Sequence, residues 1–140
     1  MRSFDPILLV EDDQLDVMTL KRALKDIKAT NPLYIRSDGE SALEFLRDPT
    51  SPKPLLILLD LNMPRMNGLE FLKILKADPH WCKIPVVVLT TSQEEKDRLT
   101  SFQLSVAGYI IKPLTYDDFV EKLLIIYQYW RLSEIPNLMN

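Results

Sequence analysis

A chain of 140 residues is the length of one ordinary domain, and 46% hydrophobic residues suffice to bury a full core. The formal charge of −3, the isoelectric point near 5.2 and the lack of any basic cluster longer than two residues exclude a general nucleic-acid or anionic-membrane binder. Cys82 and His80, each the only residue of its type, exclude an internal disulfide and a Cys/His metal set, and both read as loop or strand-edge residues.

Ile7-Leu8-Leu9-Val10 reads as a short buried strand that runs straight into Glu11-Asp12-Asp13. From about Asp16 to Ile27, apolar residues recur at Val17, Leu20, Leu24 and Ile27, the spacing of an amphipathic helix. Asn31-Pro32 punctuates before a second strand at Leu33-Tyr34-Ile35. Asp38 is placed to cap a helix with Ala42, Leu43, Phe45 and Leu46 inward. Pro49, Pro52 and Pro54 lead into a third strand, Leu55 to Leu59, whose unbroken aliphatic run fits a strand buried on both faces and which stops at Asp60. Asn67-Gly68 opens a helix with Leu69, Phe71, Leu72 and Leu75 inward, closed before Pro79. Pro85 to Leu89 is the fourth strand, running into Thr90-Thr91-Ser92, and Ser92 with Glu95 predicts a capping box for the next helix. Ala107 to Ile111 is the fifth strand, followed by Lys112-Pro113, and Thr115 starts a last long helix.

Strands alternating with helices in this way predict an α/β fold: a doubly wound, five-stranded parallel sheet of order 2-1-3-4-5 with five helices. Right-handed crossovers bring every strand's carboxyl end to one edge. Glu11-Asp12, Asp60, Thr90 and Lys112 follow strands one, three, four and five, whereas Arg36-Ser37 after strand two matches no chemistry. Taken singly, each has a plain structural role: turn acids, a cap, a surface charge. Taken together, converging carboxylates repel unless compensated, and Mg²⁺, which binds one or two carboxylates with phosphate and water, is the natural compensator. A carboxylate nucleophile that becomes an aspartyl phosphate, with a metal, a lysine and a hydroxyl around it, suits phosphoryl transfer.

Ile7 to Asp13, Leu59-Asp60-Leu61-Asn62-Met63-Pro64, Asn67-Gly68, Val88 to Ser92 and Gly108-Tyr109-Ile110-Ile111-Lys112-Pro113 together resemble a response-regulator receiver domain over nearly the whole chain. The resemblance implies that Asp60 accepts phosphate from a phosphohistidine of a sensor histidine kinase. It implies Asp12 as a direct Mg²⁺ ligand, Glu11 acting mainly through water, and the backbone carbonyl of Asn62 as a further ligand. Thr90 would swing toward the phosphoryl group with Tyr109 turning inward behind it, and Lys112 would bridge to the acyl phosphate. Tyr109 also reads as an ordinary half-buried strand aromatic. Asn62 and Ser92 match positions that tune phosphate lifetime in similar proteins. Kinase specificity is expected on the first helix, around Leu15, Met18, Thr19 and Arg22.

Receiver domains usually end near the position of Leu123-Leu124, but here the helix pattern continues through Leu132. That divides the chain into a receiver domain over 1–132 and a tail over 133–140 that extends the last helix. Phe119, Leu123, Ile126 and Trp130 form a core stripe, and Tyr116, Val120, Leu124 and Tyr127 form a second flank. The two span roughly 160°, wider than the stripe of about 100° that one packed face requires. The flank, with Trp130, predicts a protein interface; a longer helix with a wide core face is the other reading. The stretches Gln14-Leu15-Asp16 and Trp130 to Pro136 resemble the single-domain regulators of cyanobacterial phytochrome-type kinases, and that resemblance implies a homodimer through the surface of the fourth helix, fifth strand and fifth helix. No residues remain for an output domain, and neither a signal-peptide core nor a bilayer-length apolar run is present, so a cytoplasmic protein is expected, with no membrane and no nucleic-acid partner. A phosphohydrolase using an aspartyl phosphate is disfavoured, because Asn62 stands two residues after Asp60 where such enzymes carry a second Asp, and no cap insertion exists.

Overall fold

Runs of four or five aliphatic side chains make the centre of the sheet. β1 (Ile7–Val10), β3 (Leu56–Leu59) and β4 (Val86–Thr90) are buried at every position, while β2 (Leu33–Arg36) and β5 (Gly108–Ile111) are half-buried. In the computed structural model, which describes residues 1–136, the strands lie in the order β2-β1-β3-β4-β5 and all pair in parallel. Half-burial of β2 and β5 follows from their place at the two sheet edges.

The crossovers are α1 (Gln14–Asp26), α2 (Gly39–Arg47), α3 (Gly68–Ala77) and α4 (Glu95–Gln103), and α5 (Tyr116–Leu132) closes the domain. Asp38 with Ser41 and Asn67 with Glu70 form capping boxes, and the Thr115 hydroxyl accepts from the Asp118 N–H, so three of the helix starts are held by side chains as the residue types predict. α1 begins at Gln14, earlier than the apolar pattern suggests, because the Asp13 carboxylate accepts the N–H groups of Leu15 and Asp16. Two apolar clusters result. Leu8, Val10, Ile57, Leu59, Val86 and Val88 face α2 and α3, while Ile7, Leu9, Leu56, Leu58, Val87 and Leu89 face α1 and α5. Among the described residues no helix is long and apolar enough to cross a membrane.

Four expectations change. The Ser92 capping box does not form: α4 starts at Glu95 behind Glu94, and the Ser92 hydroxyl donates instead to Asp97 at 2.6 Å. A 3-10 turn at Trp81–Lys83, unmarked in the residue pattern, precedes β4. The helix does not extend into the tail, because Ser133 is already extended (ψ 133) and Ile135 folds back against the α1–α5 core; residues 137–140 lie outside the described residues. Tyr127 and Trp130 are not surface residues. Both are buried, and the Tyr127 hydroxyl donates to Asn31 Oδ1 at 2.7 Å, while Asn31 Nδ2 donates to the carbonyls of Arg2 and Asp5. Of the predicted interface, Tyr116, Val120 and Leu124 keep partial exposure. The large apolar side chains that face water on α5 are Ile125, Tyr129 and Leu132, at helical spacing along one stripe.

Candidate functional site

Register brings the strand-end residues together. Val10 pairs with Leu59, and the Asp60 N–H continues the ladder to the Val10 carbonyl at 3.0 Å, so Glu11 and Asp60 emerge side by side. Thr90 pairs with Ile111, and the Lys112 N–H reaches the Thr90 carbonyl at 2.8 Å. Carboxylate oxygens of Glu11, Asp12 and Asp60 lie within 4.8 Å of one another. Glu11 and Asp60 are buried, and Asp12 is partly open to solvent. Asp12 and Asn62 line one open depression beside this cluster.

Lys112 reaches into the same space. Its Nζ lies 2.5 Å from Glu11 Oε1, 2.7 Å from Asp16 Oδ2 and 3.6 Å from Asp60 Oδ2. Burial would lower its affinity for a proton, but Asp16 and Glu11, and then Asp60, outweigh burial and hold the ammonium firmly charged. For Glu11 burial wins. Together with the neighbouring Asp60 it pushes the carboxyl up to about 9, against the pull of Lys112. Glu11, Asp16 and Asp60 share one ammonium here, so the cluster is short of positive charge. Glu11 Oε2 is buried without a hydrogen-bond partner. An oxygen-only donor set, short of positive charge and with an orphaned carboxylate oxygen, fits a hard divalent cation.

Thr90 is fully buried, and its Oγ1 accepts the Ser92 N–H at 3.2 Å. The Tyr109 hydroxyl donates to the Ser92 carbonyl at 3.0 Å, so the loop after β4 is tied both to Thr90 and to β5. On α1, Leu15 and Met18 face water, the Thr19 hydroxyl turns back to the Leu15 carbonyl, and Arg22 stacks on the Tyr116 ring at 4.1 Å.

Two supports of the site escaped the residue pattern. A Cβ on Gly68 would stand 2.4 Å from the Asp60 carbonyl oxygen and 2.7 Å from Leu61 Cα, so only glycine lets α3 press against the loop that carries Asp60. That loop is also clamped by Arg65, a non-glycine residue at φ 59, whose guanidinium donates to the buried Asp38 carboxylate. Asp38 was legible as a cap, but its second partner lies across the fold and carries no local signal.

The model of the response regulator receiver domain matches residues 7–124. Response regulator Rcp1 of Synechocystis sp. is 40% identical over 128 residues, covering 89% of this chain and 87% of that protein. The crystal structure of its Mn²⁺-bound form superposes with a TM-score of 0.88 at 38% identity, over 95% of this chain and 99% of that one. The phosphorylated cyanobacterial phytochrome response regulator RcpA gives 0.89 at 34% identity, over 96% and 99%.

Proposed function

The chain belongs to the response regulator receiver family, whose members are signalling switches, and from that premise we propose that Asp60 is its phosphoacceptor. The observation that carries this reading is the convergence of Glu11, Asp12 and Asp60 within 4.8 Å, with the Lys112 ammonium 3.6 Å from Asp60 Oδ2. An Asp60 oxygen attacks the phosphorus of a phosphohistidine on a sensor kinase; the O–P bond forms as the P–N bond breaks, and the imidazole leaves with the electron pair. Glu11, Asp12, Asp60 and the Asn62 backbone carbonyl would hold Mg²⁺, which when bound neutralises negative charge on the transferring group. Lys112 supplies a cation to the phosphoryl oxygens and Thr90 a hydroxyl.

The readout begins at Thr90. Phosphorylation adds charge and strong acceptor oxygens beside its hydroxyl. The loop that ends in Ser92 is joined to Tyr109, so movement of Thr90 reaches the surface of α4, β5 and α5. The similarity to Rcp1 and RcpA supports a phytochrome-type kinase as donor, meeting the protein in the cytoplasm through Leu15 and Met18 of α1. A homodimer would use the α4-β5-α5 surface with Tyr116, Val120 and Leu124, extended by the exposed stripe Ile125, Tyr129 and Leu132.

The decisive experiment labels wild type and Asp60→Asn with a small phosphodonor and Mg²⁺. Labelling is expected in wild type and absent in the variant, with circular dichroism unchanged. Undiminished labelling of the variant rules Asp60 out.

A further inference from the structure

Lys112 is bound more tightly to two neighbouring acids than to the acceptor itself. Two of the three N–H donors of an ammonium are at bonding distance from Glu11 (2.5 Å) and Asp16 (2.7 Å), whereas Asp60 Oδ2 stands 3.6 Å away. Glu11 belongs to the acidic triad, but Asp16 does not. It lies on the first turn of α1, with its N–H on the Asp13 cap at 3.3 Å and its side chain 41% exposed, facing Lys112 and Glu11. A cleft of about 360 Å³ between α1 and α5, walled by Asp16, Thr19, Arg22, Lys112 and Tyr116, leaves the lysine stem room to move.

We propose that Asp16 is a positioning residue that parks the Lys112 ammonium on the α1 side of the site and so sets how readily Lys112 passes to a phosphoryl group on Asp60. The proposal rests on the reading of Asp60 as acceptor. Asp16 is fixed to a capped helix, so it cannot follow the lysine, and the contact must lengthen as Nζ moves toward Asp60. Asp16 also places another negative charge beside a site that receives an anion. Loss of the competing partner and loss of the repulsion have the same sign: removing the carboxylate favours the phosphorylated arrangement. Because the Asp16 carboxylate is 41% exposed and screened by water, the effect is modest, about three-fold in affinity for a phosphoryl mimic.

The test titrates wild type, Asp16→Asn and Asp16→Glu with beryllofluoride at saturating Mg²⁺, reading bound fluoride by ¹⁹F NMR. The Lys112 ammonium is followed by ¹⁵N NMR in the metal-free proteins. Asp16→Asn is expected to bind beryllofluoride about three-fold more tightly, with unchanged thermal unfolding and a shifted Lys112 signal. Asp16→Glu is expected to restore both wild-type values. Affinity in the Asn variant equal to or weaker than wild type overturns the proposal, as does a Glu variant displaced as far as the Asn variant. A wild-type chain that binds no beryllofluoride overturns the acceptor reading itself, and the role of Asp16 with it.

Discussion

Glu11 shows how far position along a strand alters an ordinary side chain. One residue past a fully buried strand, its carboxyl is pushed up to about 9 by burial and by Asp60, and one oxygen has no partner. A divalent ion in the triad needs the ionised form, so binding must expel that proton. Mg²⁺ titrations by calorimetry at pH 7, repeated in buffers of different ionisation enthalpy, are expected to show about one proton released per ion by wild type. Glu11→Gln, which has no such proton, is expected to show none and to bind the ion more weakly. Gly68 makes the second residue-scale case. The methyl group of Gly68→Ala would meet backbone atoms of Asp60 and Leu61, which cannot rotate away. Overpacking of this kind costs about 1–3 kcal/mol, and urea denaturation is expected to show it together with slower labelling of Asp60.

Among the elements, the α2 start and the loop after β3 behave as one unit. Burial works to raise the Asp38 carboxyl, but the Ser41 N–H and the Arg65 guanidinium outweigh it and hold the group below its ordinary 3.8. A carboxyl depressed on folding contributes stability that is present above the unfolded value and lost as pH falls below it. Acid unfolding of wild type is therefore expected to steepen below about pH 4, and Asp38→Asn, uncharged at every pH, is expected to lose part of that dependence. The helix starts at Asp38, Asn67 and Thr115 were legible because a cap is a local bargain between neighbours. The Ser92 box does not form because α4 begins only at Glu95, behind Glu94, which puts Ser92 two residues before the cap position, with its hydroxyl donating to Asp97. Strand order and the convergence of Glu11, Asp12, Asp60 and Lys112 followed from the strand pattern and the residues at the strand ends. Asp16 beside Lys112 and Arg65 on Asp38 did not, since each pair joins residues far apart in sequence.

For the molecule as a whole, the long α5 is a seam. Phe119, Leu123 and Trp130 pack on the sheet, and Tyr127 ties the helix to Asn31, which in turn holds the carbonyls of Arg2 and Asp5. The extra helical length beyond Leu124 therefore serves the core at Tyr127 and Trp130 and turns the apolar side chains of Ile125, Tyr129 and Leu132 outward, a division that periodicity could not resolve. Tyr127→Phe leaves Asn31 Oδ1 without its donor and is expected to lower stability by about 1–3 kcal/mol in urea denaturation. Dimerisation through the outward stripe is checked by sedimentation with and without beryllofluoride. Tyr129→Glu is expected to shift the wild-type chain toward monomer in either state.

The sheet also separates two apolar populations of side chains: those beneath α2 and α3, which brace the loop after Asp60, and those beneath α1 and α5, which carry the face we propose for the kinase. Below the carboxyl edge, where Asp16, Lys112 and Asp60 meet, a mutation on one side reaches the other through the buried strands. Substitutions along the exposed side of α1, at Leu15 and Met18, thus leave the bracing under α2 and α3 as it was. The partner-facing surface and the phosphoacceptor's scaffold therefore rest on separate cores, and each tolerates change without loosening the other.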